Sequence, residues 1–457
     1  MSCNNNPWGH TIMIRDTRLQ ERHLNMSVES ISVLLLSWVV AALLMLAHFK
    51  AGADIALIAA VFVAIFCGLL ILASLVLRFE NLRPGVAIIA GLFFVWLGLG
   101  LFGNWHQAKH EILCLLGAGS VAALGYAIGR TPGGLKQAWL ALIWTLLAFA
   151  VVAAITFSLQ FSDARSISVR LGGAFESPNT AATLLGIAML VGASKLLVRF
   201  QDARFVARQR GDRITQLAQK EFASIALFVV AGGCLLFTIS RAGIVFSLLA
   251  VFALIGFELA RIRRRGQVSI LKSKRVAIGF LLLVFVVLML AISGEINPNV
   301  EEALLENASG RIAANEIYWG VFAEKPWFGL GLGSFNTIND EVTTLDNAAT
   351  LMPLGAAHNV LIQWLLQQGV IGVLAMLFVF GVIFSPIVSA LASPSKKPRN
   401  FLRLAIAATF LVFAHGMVDY ALEIPSVMWT YAYLLGLAAG YASSIRVTHS
   451  KPADCPF

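Results

Sequence analysis

The chain has 457 residues, of which 58% are hydrophobic and 13% charged, with a mean hydropathy of +0.81. Soluble domains are about 45–50% apolar and about 25% charged. A water-soluble enzyme of this composition would leave large apolar patches in water, so that class is excluded, as are a disordered chain and a disulfide scaffold. The net charge of +10 suggests nucleic acid at first sight. The cations, however, sit in a few loops between apolar runs, which argues against it.

A membrane-spanning helix needs about 20 mostly apolar residues. Twelve runs meet that description: 30–48, 55–77, 85–102, 111–129, 137–158, 179–198, 222–239, 242–260, 276–293, 370–392, 402–422 and 426–445. Hydrocarbon demands internally satisfied backbone, so the runs predict helices. The first run has no small-residue cleavage site and reads as an uncleaved span. The expected fold is therefore an all-α polytopic membrane protein of about twelve spans. Residues 1–293 hold spans one to nine, 294–369 form a large outer loop, 370–446 hold spans ten to twelve, and 447–457 form a tail.

Lys and Arg set the orientation. With the N-terminus in the cytoplasm, 27 of the 34 fall inside, and the outside keeps Lys50, Lys109, Arg165, Arg170, Arg241, Arg311 and Lys325. Two inside loops, 195–220 and 261–275, carry seven cations each and are expected to face anionic inner-leaflet lipid. Both termini are then cytoplasmic. Cys3 and Cys455 lie in the tails, and Cys67, Cys114 and Cys234 within spans, so no outside disulfide is available.

The loop 294–369 holds what non-membrane mass there is. Ile312, Ile317, Val321 and Phe322 predict a short helix over 309–324, stopped by Pro326. Gly329, Gly331 and Gly333 mark a flexible turn, and a second short helix is expected from His358 to Gly369. Nine acids in this loop lack metal-ligand spacing and read as a solvated face; no metal site is expected.

Several charges stand where charge is costly. Arg241 is the single charge in the reversal between spans seven and eight, so it sits at the outer membrane boundary. It reads as an anion-binding group or as an arginine snorkelling to the interface. Arg311 opens the loop helix. His358 and Asn359 follow the small residues Gly355, Ala356 and Ala357, which permit close approach of a substrate. Asp419, near the outer end of span eleven with His415 four residues before it, needs a cation or donors; it could pair with an outside arginine, orient a histidine, or serve helix packing. The middles of the spans are nearly free of ionisable groups, whereas a coupled transporter places them near the midplane. The pattern favours chemistry at the outer face.

These residues resemble the O-antigen ligase family, which shares a superfamily with O-antigen polymerases and some protein O-oligosaccharyltransferases. The likeness rests on Phe175-Glu176-Ser177-Pro178-Asn179, on Ser240-Arg241-Ala242-Gly243, on Arg311 with Trp319, Pro326, Gly329, Gly331, Gly333 and Phe335, and on His358-Asn359 with Leu361, Gly369 and Gly372. Gln368 departs from it, standing where many members carry an acid. The resemblance implies a glycosyltransferase at the periplasmic face of a bacterial inner membrane. Its donor would be a glycan on undecaprenyl pyrophosphate and its acceptor a lipid A–core oligosaccharide, with no metal or cofactor. A polymerase or a protein oligosaccharyltransferase would use the same donor, and a lipid-linked glycan transporter is the non-enzyme alternative.

Against that reaction, the residues take roles. Arginine presents a fixed fork to phosphate oxygens, so Arg241 and Arg311 are expected to hold the diphosphate, with Arg170 and Lys325 as further candidates. His358 is the expected base, since imidazole titrates near neutral pH. Asn179, Asn359 and Asp419 complete the expected substrate-binding set. A single displacement would invert the anomeric centre.

Overall fold

The computed structural model describes residues 8–49, 55–77, 105–163, 170–206, 219–264, 298–393 and 399–450. The described residues are helical, with no strand among them. In chain order the helices are α1 (Trp8–Phe49), α2 (Ala56–Val76), α3 (Trp105–Arg130), α4 (Gly134–Asp163), α5 (Pro178–Val206), α6 (Phe222–Phe237) and α7 (Arg241–Arg264). They continue with α8 (Pro298–Glu324), α9 (Phe335–Val342), α10 (Ala348–Leu351), α11 (Val360–Ala392), α12 (Asn400–Gly416) and α13 (Pro425–Ser450).

Seven of these are long and apolar enough to cross a membrane: parts of α1 to α5, of α7, and α11. Helices α6 and α12 are apolar but shorter. At 16 and 17 residues they are about 25 Å long, less than a hydrocarbon core of about 30 Å. So twelve full spans are not what the described residues carry. The expected runs at 85–102 and 276–293 lie outside them, and the twelfth run falls within α13, which is not among the seven.

Small residues let the helices meet. Among the described residues α3 and α13 approach closely. A Cβ placed on Gly125 would lie 2.6 Å from the Tyr433 carbonyl oxygen, and one on Gly129, Gly436 or Gly440 would run into backbone of Leu437, Ala122 or Tyr126. Trp429 fills the space over Gly117 and donates its indole N–H to the Cys114 carbonyl (2.9 Å). The largest apolar core among the described residues runs from Val33 in α1 to Ile445 in α13.

Two sequence expectations change here. The loop helix begins at Pro298 rather than 309, and the second short helix does not stop at Gly369 but continues into the tenth expected span as α11. The helix is broken at Gly369, whose φ of 62° and ψ of −169° only glycine adopts without strain. A break frees backbone groups, and inside a membrane protein these need partners. The Pro326–Gly331 turn supplies them. Leu330 and Gly331 donate to the carbonyls of Leu366 and Gln367 (2.8 and 2.9 Å), while Pro326 and Trp327 accept from the N–H groups of Val370 and Ile371 (2.8 and 3.2 Å). Gly329, at φ 68°, has no room for a Cβ against Gln368.

The loop has a small core of its own, with Tyr318, Phe335, Ile338, Leu351 and Leu366. The Tyr318 hydroxyl donates to Asn339 (2.6 Å), and the Asn339 amide donates to the Leu351 carbonyl (2.9 Å). Gln107 at the start of α3 donates to Thr337 (2.6 Å), which ties the loop to the bundle.

Candidate functional site

The site is assembled at one end of the bundle from four turns. The first is the segment before α5. Leu171 donates to the Phe237 carbonyl (2.9 Å), laying this segment along the end of α6. Arg170 then reaches over the turn between α6 and α7. Its Nε donates to the Thr238 carbonyl (2.9 Å), and its Nη2 to Asn179 Oδ1 (3.1 Å) and the Ile239 carbonyl (3.5 Å). Burial and the positive charge of Arg311 lower the Arg170 pKa from its ordinary value, and the Asp419 carboxylate pulls it back up.

The second turn explains Ser240-Arg241-Ala242-Gly243. Ser240 caps α7, its hydroxyl accepting from the Gly243 N–H (3.3 Å). Gly243 permits contact with α5 and α12: a Cβ there would sit 2.6 Å from that of Ala182 and 3.2 Å from the His415 ring. His415 bridges the same elements, with Thr183 at 2.7 Å and Ser240 at 3.5 Å. Ile239 holds a left-handed φ of 52°, so the reversal is strained. Arg241 is the first residue of α7 and stands exposed.

The third and fourth turns bring His358 to Asp419. His358 has φ 50°, which turns the chain sharply into α11. Asn359 is the N-cap of that helix: its side-chain oxygen accepts from Leu361 N (3.0 Å) and Ile362 N (3.2 Å). Gln363 accepts from the Ala357 N–H (2.8 Å) and secures the turn. Helix α12 ends at Gly416, so Asp419 stands in the turn beyond it, and the expected helical spacing from His415 does not apply. Asp419 is fully buried, with His358 Nδ1 3.7 Å from Oδ1. Neither carboxylate oxygen has a hydrogen-bond partner among the described residues, nor does His358 Nδ1. The His358 ring lies edge-on to Tyr420, centroids 4.7 Å apart. His358, Gln363, Asp419, Tyr420 and Glu423 line a narrow crevice too tight to hold a water molecule.

Arg311 closes the group from α8. Its Nη1 donates to the Val418 carbonyl (2.8 Å), one residue from Asp419. Arg170 and His415 each lie within electrostatic reach of both Arg311 and Asp419. Thus Arg170 meets Asn179 at the start of α5, His358 and Asn359 meet the turn that holds Asp419, Arg311 reaches that turn from within α8, and Arg241 begins the helix that leaves the Arg170-bound turn. Lys325 is not brought to them. Arg311 lies within α8 rather than opening it, and Lys325 stands just past its C-terminal end, about 20 Å along the helix axis from Arg311.

Sequence reasoning missed His415 as a bridge and His48 altogether. His48 lies buried between α1 and α13, within hydrogen-bond distance of Ser426 (2.9 Å) and Thr430 (3.2 Å), with its ring against Phe149 and Phe175. It thereby steadies the segment before α5. Among the described residues no three His, Cys, Asp or Glu side chains are grouped to hold a metal ion.

The fold and site together define a polytopic helical membrane protein with cations, a histidine and a buried carboxylate gathered at one end of its bundle. Residues 226–377 match the family model for O-antigen ligase. The match takes in Arg241, Arg311, His358 and Asn359, while Arg170, Asn179 and Asp419 lie outside it. No curated protein matches the chain.

Proposed function

We propose that the protein is an O-antigen ligase, moving a glycan from undecaprenyl pyrophosphate to the sugar of a lipid A–core oligosaccharide at the periplasmic face of a bacterial inner membrane. The observation that carries this reading is the approach of His358 to a buried Asp419 that has no hydrogen-bond partner among the described residues, with Arg170 and Arg311 nearby.

The chemistry follows from what each group can do. His358 takes the proton from an acceptor hydroxyl as its oxygen attacks the anomeric carbon of the donor sugar. Asp419 orients the imidazole and balances the charge it gains. The bond from the anomeric carbon to the diphosphate oxygen breaks as the new glycosidic bond forms, so the centre inverts. Arg241 and Arg311 stabilise the leaving diphosphate, the part many transferases give to a divalent ion. Arg170, already bonded to Asn179 and two carbonyls, holds the turn that presents Arg241 and adds positive potential. The mechanism needs no metal or cofactor.

Purified protein in detergent is the test. It is mixed with a lipid-linked glycan and either lipid A–core or a second portion of donor glycan. Growth of lipid A–core, persisting in EDTA, is the expected result. Growth of the donor glycan alone would make the protein a polymerase, and transfer to neither would remove the enzymatic reading.

A further inference from the structure

The turn that plugs the break in α11 also displays two large aromatic side chains. Trp327 and Phe328 are 65% and 62% exposed, yet their backbone is held on both sides: Pro326 and Trp327 accept from α11, and Gly329 N–H donates to the Lys325 carbonyl (3.2 Å). They are not a loose tip. A rigid turn that keeps an indole and a phenyl ring outward calls for a surface that takes them.

Their register on α11 says which surface. Trp327 pairs with Ile371, two residues past the break. From Val370 to the end of α11 at Ala392 the helix is about 34 Å long, enough to cross a hydrocarbon core of about 30 Å. That length lets the break and the aromatic pair stand at one boundary of that core. The spanning part exposes Leu374, Leu377 and Phe378, and Trp327 and Phe328 are exposed apolar side chains at its broken end. Glu324 and Lys325 beside them are both exposed and cancel in charge. Partition of aromatic rings, rather than attraction to anionic headgroups, is the driving force left.

We infer that the Trp327–Phe328 turn is an interfacial anchor seated in the headgroup–acyl boundary of the bilayer. Through its bonds to Val370 and Ile371 it fixes the depth at which the broken helix stands. The inference is independent of the glycosyl-transfer reading, because it concerns lipid contact alone.

The test uses the full chain in phosphatidylcholine nanodiscs, with the five native cysteines replaced. Nitroxide labels are placed by Phe328→Cys and, separately, Trp327→Cys, with Leu345→Cys as reference, since Leu345 is 98% exposed in the turn before α10. Power saturation with oxygen and with a water-soluble nickel chelate then reads depth. The expected result is a several-fold higher oxygen-to-nickel accessibility ratio at 327 or 328 than at 345, in a variant whose melting temperature matches the parent. Nickel accessibility equal to that at 345 would overturn the anchor. So would labels shielded from both reagents, which would mean that protein rather than lipid covers the turn.

Discussion

The α3–α13 contact and the turns around Asp419 both press backbone closely against neighbours, but they do so in opposite ways. Between α3 and α13 the glycines are helical and unstrained, and the closeness comes from missing side chains. Trp429 has its acceptor, and the one buried polar atom of that contact without a partner among the described residues is the neutral Tyr433 hydroxyl. At the site the closeness comes from tight reversals. Ile239 and His358 are the two non-glycine residues with positive φ among the described residues, and both lie there. Each such residue costs about 1–3 kcal/mol. Beside His358 lies the buried Asp419 carboxylate, without a hydrogen-bond partner among the described residues. Strain and an unsatisfied charge gathered at one place are what a fold tolerates where it acts on something else.

If that division is right, substitutions at the site lower transfer with little loss of stability, and substitutions between α3 and α13 do the reverse. The largest effect is expected at His358. His358→Ala removes the base but keeps a Cβ at the same left-handed φ, so transfer should fall by about 10²–10⁴ while the melting temperature changes little. Single-turnover assays beside thermal melts read both quantities. A variant that transfers normally would move His358 to the structural side of the comparison.

The arginines come next. Removing one preorganised stabiliser of a developing charge costs about 10²–10³ in rate. Arg241→Ala and Arg311→Ala should each fall in that range, and Arg241→Lys should lie between alanine and wild type because it keeps charge but loses the fork. If both grip one diphosphate, the double alanine variant should lose less than the product of the single losses. An Arg241 that merely snorkels predicts full activity with lysine and no coupling to Arg311.

Asp419→Asn separates orientation from packing. The amide keeps the volume and removes a charge buried without hydrogen bonds, so stability should be unchanged or improved. Transfer should drop about tenfold, less than in a formed triad, because the 3.7 Å separation from His358 is longer than a hydrogen bond. A collapse in melting temperature with no kinetic defect among folded molecules would instead make Asp419 part of the scaffold.

The sequence made the helical character, the O-antigen ligase likeness and the residue types of the site legible, because hydropathy and costly charges are local signals. What it hid depends on contacts distant along the chain. Gly369 reads as an end of a helix, but the Pro326–Gly331 turn satisfies the break and lets α11 run on. Asn359 reads as a substrate ligand, whereas its place directly before an apolar run is also an N-cap signal, and that is the bond it makes. Ser240 and Gly243 flank Arg241 for reasons of capping and packing, so a motif that looks catalytic as a whole divides into one exposed cation and its supports. Lys325 and Arg311 are neighbours by charge and side, but one helix keeps them about 20 Å apart.

The smallest expected effect on transfer, and the sharpest check on the other half of the comparison, is at Gly436. Its Cα faces the Ala122 carbonyl of α3 so closely that any Cβ must push the two helices apart. Gly436→Val therefore overpacks a contact with no flexible side chain to give way, at a cost of about 1–3 kcal/mol. The damage lies in α13, away from the turns that hold His358 and the arginines. Transfer per folded molecule should then match wild type, while the melting temperature and the yield of folded protein fall. Melts in detergent, with rates normalised to the folded fraction, separate the two. A rate loss comparable to that of Asp419→Asn at full folded fraction would show that α3–α13 packing sets the geometry of the site, and the division between a strained working end and a relaxed scaffold would have to be abandoned.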